Sequence, residues 1–223
     1  MLAKTMKKQY LEPKFFVDSD HPKVIAFAKK TTGSNRDPQQ VAMSLFYAIR
    51  DGWRYDPYQI DLSESAMKAS HLLTRNYGYC IEKACLLAAS ARVLGIPSRL
   101  GFANVRNHIG TEKLEKILQT DVLVFHGYTE LYLDNCWVKA TPAFNRQLCD
   151  RLNVAPLEFD GKTDSLFQQY AADGGKFMEY LHDYGTFADV PRDLFITELK
   201  RHYPHLFNQQ QTDENLPVII SGL

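Results

Sequence analysis

Residues 76–99 read NYGYCIEKACLLAASARVLGIPSR. The opening Asn76-Tyr77-Gly78 reads as a turn, and Gly78 accepts strained dihedrals close to Cys80. From Cys80 to about Leu94 the run is apolar and helical. Ala84, Leu87, Ala88 and Ala91 keep the spacing of a buried helix. Gly95-Ile96-Pro97 ends it, glycine as the C-cap and proline shortly after. Cys80 therefore stands at the start of the longest apolar helix. Unsatisfied N–H groups and the helix dipole favour an anion there, which lowers a thiol pKa and offers donors to a developing oxyanion. Position alone also fits a small buried hydrophobe.

Working outward, His21–Thr32 reads as a short helix ending at Gly33. Asp37-Pro38 is an N-cap followed by proline at the first helical position, and Val41, Leu45, Ala48 and Ile49 recur at helical spacing as far as Gly52. Trp53–Ile60 is aromatic and irregular. Ser63 starts a further helix with Met67, Leu72 and Leu73 on its apolar side. After the cysteine helix, Ser98–Val105 reads as a strand. Asn107–Thr120 is a polar insertion with one helix over Glu112–Leu118. Asp121–Leu133 and Cys136–Thr141 are strands joined at Asp134-Asn135. Beyond Asn145 the pattern is helical, with helices over Phe177–Asp183 and Arg192–His202 and a mobile tail from Gln209. Helices, then a central helix feeding an antiparallel sheet, then helices again make an α+β layout. The expected organisation is a helical extension over 1–36, a core over 37–150, and a C-terminal helical region over 151–223 packed on the same domain.

The hairpin supplies a partner for Cys80. A two-residue turn at Asp134-Asn135 sets Leu133 opposite Cys136, Tyr132 opposite Trp137 and Glu130 opposite Lys139, an opposite-charge pair that supports the register. Tyr128 then faces Thr141, and His126 shares that face because strand side chains alternate. A base histidine needs a third group to fix its tautomer. Thr141 offers a hydroxyl or a carbonyl for that purpose, without the charge a carboxylate would add. Read singly, each is also an ordinary strand residue. His21, His202 and His205 read as surface residues, and His71 and His108 as weaker candidates. Cys85, Cys136 and Cys149 read as packing residues.

The bulk numbers exclude several classes. The chain has 223 residues, 26 basic and 26 acidic side chains, and no formal net charge. A dedicated nucleic-acid binder would carry a basic excess, and attraction to anionic membranes would need one too. No run of apolar residues is long enough to span a bilayer, and the start shows no secretory core. Four cysteines at these spacings are not a disulfide scaffold and contain no C-x-x-C pair. The expectation is a cytoplasmic protein with free thiols and no zinc site. No calcium-loop pattern occurs, and no cofactor or metal is expected.

Gly78-Tyr79-Cys80, Ala84 and Arg92-Val93-Leu94-Gly95-Ile96-Pro97-Ser98-Arg99 together resemble the cysteine segment of the transglutaminase-like superfamily. His126-Gly127-Tyr128-Thr129-Glu130-Leu131-Tyr132-Leu133, with Trp137 and Thr141-Pro142, resembles its histidine segment. The likeness covers roughly residues 37–145. It implies a papain/transglutaminase-like core with Cys80 as nucleophile and backbone oxyanion donor and His126 as general acid/base. Thr141 stands where the family usually has aspartate, which leaves the strength of catalysis open. The implied chemistry is acyl transfer on a carboxamide or peptide bond through a thioester, with hydrolysis favoured over crosslinking. The partner is then a protein, peptide or small amide substrate. Trp53, Tyr55, Asn76 and Tyr77 are candidates for a second oxyanion donor. The competing reading is a noncatalytic protein- or peptide-binding module that keeps the fold with a degenerate triad. A structural scaffold with an oligomerising C-terminal part is a third. Thiol-disulfide exchange is disfavoured, since Cys80 has no second cysteine at C-x-x-C spacing.

Overall fold

The computed structural model describes residues 8–108, 112–166 and 178–207, and the backbone of 219–221. Helix α1 (Pro22–Thr32) and helix α2 (Pro38–Gly52) both begin on a proline, whose missing N–H costs nothing in a first turn. His21 Nδ1 accepts from Lys23 N–H at 3.2 Å, and Asp37 Oδ2 accepts from Gln40 N–H at 3.3 Å. Both helices pack against α4 (Cys80–Val93), as does the short α3 (Ala69–Leu72). Nearly every side chain of α4 is buried, because helices cover one side of it and the sheet covers the other.

That sheet has the order β6-β5-β4-β7 and is antiparallel throughout. Its strands are β4 (Ser98–Asn107), β5 (Val122–Leu133), β6 (Cys136–Ala140) and β7 (Met178–Phe187). Asp134 and Asn135 turn between β5 and β6 with φ of 45° and 67°, the left-handed pair that a tight hairpin of this twist requires. The register is the expected one: Leu133↔Cys136, Tyr132↔Trp137, Glu130↔Lys139. The ladder ends at Thr129↔Ala140, one pair before Tyr128 and Thr141. Thr141 N–H donates to Ser165 O instead, at 3.1 Å. The fold is α+β, with its central helix on an antiparallel sheet and helices toward both ends, the layout that the resemblance to a papain/transglutaminase-like core implies. Helix α5 (Glu112–Leu118) lies in the β4–β5 connection, α6 (Arg146–Leu152) follows β6, and α7 (Arg192–His202) packs on β5.

Several local expectations change. Residues 178–183, read as helix, belong to β7, which pairs along β4 from Leu100↔Phe187 to Asn107↔Met178. The pairing partner lies some eighty residues away in sequence, so tertiary context overrides the mixed local pattern. Phe177 is outside the described residues. The helix expected from Ser63 is a single closed turn, Met67 N–H to Ser63 O at 3.2 Å, and regular helix is confined to Ala69–Leu72. Within Trp53–Ile60, β1 (Arg54–Tyr55) pairs with β3 (Tyr77–Gly78) and β2 (Gln59–Asp61) begins. Strand β2 pairs with β8 (Ile219–Ser221), so three residues of the tail expected to be mobile are held in a ladder. Residues 209–218 are outside the described residues. Cys136, read as a packing residue, is exposed, while Cys85 and Cys149 are buried.

One buried charge ties the core to the chain around it. Lys83 Nζ, on the first turn of α4, donates to Arg50 O (2.8 Å), Trp53 O (3.0 Å) and Ala143 O (2.8 Å). Burial pushes its pKa down to about 7. The three carbonyls each take one N–H, and only the ammonium has three to give.

Candidate functional site

Cys80 is the first residue of α4 and is 8% exposed. Glu82 in the same turn accepts from Tyr79 N–H at 3.0 Å and pairs with Arg75, which fixes the entry to the helix. The backbone N–H groups of Gly127, Ile81 and Cys80 itself, and the Tyr55 hydroxyl, pull the thiol pKa down. Each favours the thiolate, but burial outweighs them and pushes the thiol up to about 11. A helix start alone predicts a lowered thiol pKa, and burial reverses that direction here.

His126 sits on β5 opposite Ala103 and is 1% exposed. Burial pushes its imidazole down to about 4. Cys80 and His126 line one cavity of about 60 Å³. Its walls include Leu114, Leu118, Leu123, Val124, Phe195 and Leu199, and among the described residues no Asp, Glu, Lys or Arg side chain lines it. That explains both shifts together. With no charge nearby to favour an ion, desolvation keeps the sulfur protonated and the imidazole neutral. Leu114 and Leu118 come from α5, so the polar insertion supplies part of the wall. A second cavity of about 300 Å³ shares Tyr55, Pro57 and Leu114 with the first and reaches Arg54, Asp56 and Arg151.

The other sequence candidates separate cleanly. Thr141 is buried, and its Oγ1 makes no hydrogen bond among the described residues. Trp53 donates its indole N–H to Leu72 O and Arg75 O, both at 2.8 Å, which is a structural clamp. Arg75 stacks over Tyr77, and Asn76 O accepts Arg54 N–H. Tyr55 is the one of the four whose side chain reaches Cys80, because the β1–β3 ladder sets it beside the start of α4. His71 and His108 do not line the Cys80 cavity. Sequence reasoning passed over Gly127 and Lys83. A glycine inside a strand beside a candidate base, and a lysine in the first turn of an apolar helix, were the available signals.

A family model of the transglutaminase-like superfamily matches residues 25–142, more than half of the chain. The chain belongs to the transglutaminase-like superfamily. Two solved structures are similar to this superfamily member. One is a candidate cysteine protease from Cytophaga hutchinsonii, 18% identical, covering 80% of this chain and 53% of that one, with a TM-score of 0.46. The other is a candidate protease from Parabacteroides distasonis, 17% identical, covering 61% of this chain and 25% of that one, with a TM-score of 0.38. The superfamily member thus spans about half the length of the first and a quarter of the second. No curated protein matches it. Among the described residues no helix is long and apolar enough to cross a membrane, and no group of three or more His, Cys, Asp or Glu side chains is arranged to hold a metal ion.

Proposed function

We propose that the protein is a cysteine-dependent enzyme of acyl transfer that cleaves a carboxamide or peptide bond through a thioester on Cys80. The observation that carries this reading is a single cavity lined by Cys80, at the start of its helix, together with His126 and Tyr55. Because the resting pair is neutral, His126 acts as a general base during attack. The Cys80 sulfur bonds to the carbonyl carbon while its proton passes to the imidazole. The carbonyl oxygen gains the negative charge, which the N–H groups and the Tyr55 hydroxyl stabilise. The imidazolium returns its proton to the leaving nitrogen as the C–N bond breaks, leaving the thioester. Water, deprotonated by His126, then attacks, and the departing sulfur takes the proton back. An amine in place of water would give transamidation, and hydrolysis is the favoured outcome. Thr141 is the group proposed to orient His126, through its carbonyl, since its hydroxyl is unbonded among the described residues.

The test is turnover of a panel of peptide, glutaminyl and small aliphatic amides, with Cys80→Ser and His126→Ala as controls. Turnover lost in both variants supports the assignment, and turnover retained by Cys80→Ser sinks it. The second reading is a noncatalytic peptide-binding module of the same fold. The unbonded Thr141 hydroxyl favours it. It predicts binding without turnover across that panel.

A further inference from the structure

The segment just before His126 is built in an unusual way. Phe125 has φ of 61°, a left-handed conformation that a bulky residue rarely adopts and that is strained wherever it occurs. The cause is visible in the β4–β5 ladder. Ala103 pairs with His126 and Val105 with Leu123, so one residue of β4, Asn104, stands opposite two of β5, Val124 and Phe125. This is a bulge, with one extra residue on the histidine strand. It takes the N–H groups of Val124 and Phe125 out of the ladder, and buried N–H groups need acceptors.

Side chains supply them. Val124 N–H donates to the Tyr203 hydroxyl at 2.8 Å, and that hydroxyl donates to Val122 O at 2.6 Å. Phe125 N–H donates to Asn104 Oδ1 at 3.0 Å. Asn104 is itself buried. Its Nδ2 donates to the Tyr184 hydroxyl at 3.0 Å, and that hydroxyl donates to Glu198 Oε2 at 2.7 Å. The chain of bonds also fixes which way the amide points, because only its oxygen can accept from Phe125. The Phe125 ring anchors the same turn, stacked against Phe102 and Phe195 at 4.6 and 5.2 Å between centroids.

We infer that Asn104 is a positioning residue for His126: by holding the Phe125 N–H it maintains the strained bulge that sets the imidazole in the Cys80 cavity. In a strand a shift of one residue turns every side chain to the other face. Loss of the bulge would therefore move His126 as a unit, without touching Cys80. This inference rests on the Cys80–His126 reading for its catalytic meaning, and on geometry alone for the placement of the ring.

The experiment uses Asn104→Leu, which keeps side-chain bulk and removes the acceptor, and Tyr184→Phe, which removes only the bond behind Asn104. Each is made in a Cys136→Ser background to remove the exposed thiol. Two readouts are taken: the His126 ring resonances in histidine-labelled protein, and the rate of Cys80 acetylation by p-nitrophenyl acetate. Asn104→Leu is expected to move the His126 resonances and to slow acetylation about 10- to 100-fold, with Tyr184→Phe smaller in the same direction. Asn104→Leu with His126→Ala should be no slower than His126→Ala alone, since both remove one function. Unmoved His126 resonances in the folded variants overturn the inference, as does an additive double variant. If Asn104→Leu does not fold, Tyr184→Phe decides by the same readouts. If His126→Ala alone acetylates at the wild-type rate, the general-base reading fails instead, and the resonances alone decide the placement.

Discussion

Gly127, the neighbour of His126 on β5, lies against the first turn of the helix that carries Cys80. A Cβ at Gly127 would come within 3.1 Å of Ile81 Cα and 3.4 Å of Ile81 N. The Ile81 side chain closes the same space, its Cγ1 3.2 Å from that Cβ position, so the histidine strand passes close against the first turn of the cysteine helix. The Gly127 N–H also pulls the Cys80 thiol pKa down. A side chain at this position would press on Ile81, the residue next to Cys80.

Gly127→Ala should therefore separate the two halves of the site more than it unsettles the fold. Overpacking of a few tenths of an ångström is expected to lower stability by about 1–2 kcal/mol. Acetylation of Cys80 should fall by about tenfold or more, because a small misplacement of reacting groups is costly. Urea unfolding and the acetylation rate check this. A variant with unchanged acetylation would mean that the close contact does not serve the sulfur.

The buried thiol makes a prediction about pH. With Cys80 held up to about 11, its alkylation by iodoacetamide should keep rising through pH 10, with no plateau near an ordinary thiol pKa of about 8.5. Cys136 is exposed and should be labelled well ahead of Cys80 at pH 7.5. Peptide mapping separates the two. Rapid labelling of Cys80 at pH 6 would show a resting thiolate and contradict the neutral pair.

His126 makes the opposite prediction on the acid side. Its pKa is lowered on folding from 6.5 to about 4, so between those values the unfolded chain binds a proton that the folded one does not. Stability from this group is present above pH 6.5 and is lost as pH falls toward 4, by roughly 3 kcal/mol in all. His126→Gln should flatten the pH dependence of unfolding in that window. Equal slopes for the two proteins would show that His126 is not buried in neutral form.

Much of this was legible in the sequence. Asp134-Asn135 fixed the β5–β6 register by local turn chemistry, and Asp37-Pro38 and Gly95-Ile96-Pro97 marked helix ends with residues that can do little else. Cys80 was legible as a candidate from its place at a helix start, and His126 from the hairpin register that Asp134-Asn135 sets. What escaped depends on partners distant in the chain. The strand β7 is defined by β4, and the bulge at Phe125 by Asn104 and Tyr203. The neutral state of the site escaped for the same reason. A helix start is visible in sequence, but the apolar walls from Leu114, Phe195 and Leu199 are assembled only by the fold.

Lys83 offers a test of how the core supports the site. Lys83→Met keeps the length of the side chain and leaves three buried carbonyls without their donor, those of Arg50, Trp53 and Ala143. The expected loss is about 3–5 kcal/mol, read as a lower urea midpoint at unchanged slope. A loss below about 1 kcal/mol would mean that water replaces the ammonium.

Thr141→Ala should be mild. Its Oγ1 bonds to nothing among the described residues, so stability should change by less than about 1 kcal/mol. Acetylation should fall far less than in His126→Ala. Equal losses in two folded variants would assign the Thr141 hydroxyl a larger part in holding the imidazole.

The central claim is most directly tested by trapping the thioester. The Cys136→Ser protein is mixed with p-nitrophenyl acetate, quenched in acid within seconds, and mapped by mass spectrometry. The account predicts one acetyl group on the peptide that contains Cys80, absent from Cys80→Ser and strongly reduced in His126→Ala. Acetylation spread over Cys85 and Cys149, or equal with and without His126, would contradict it.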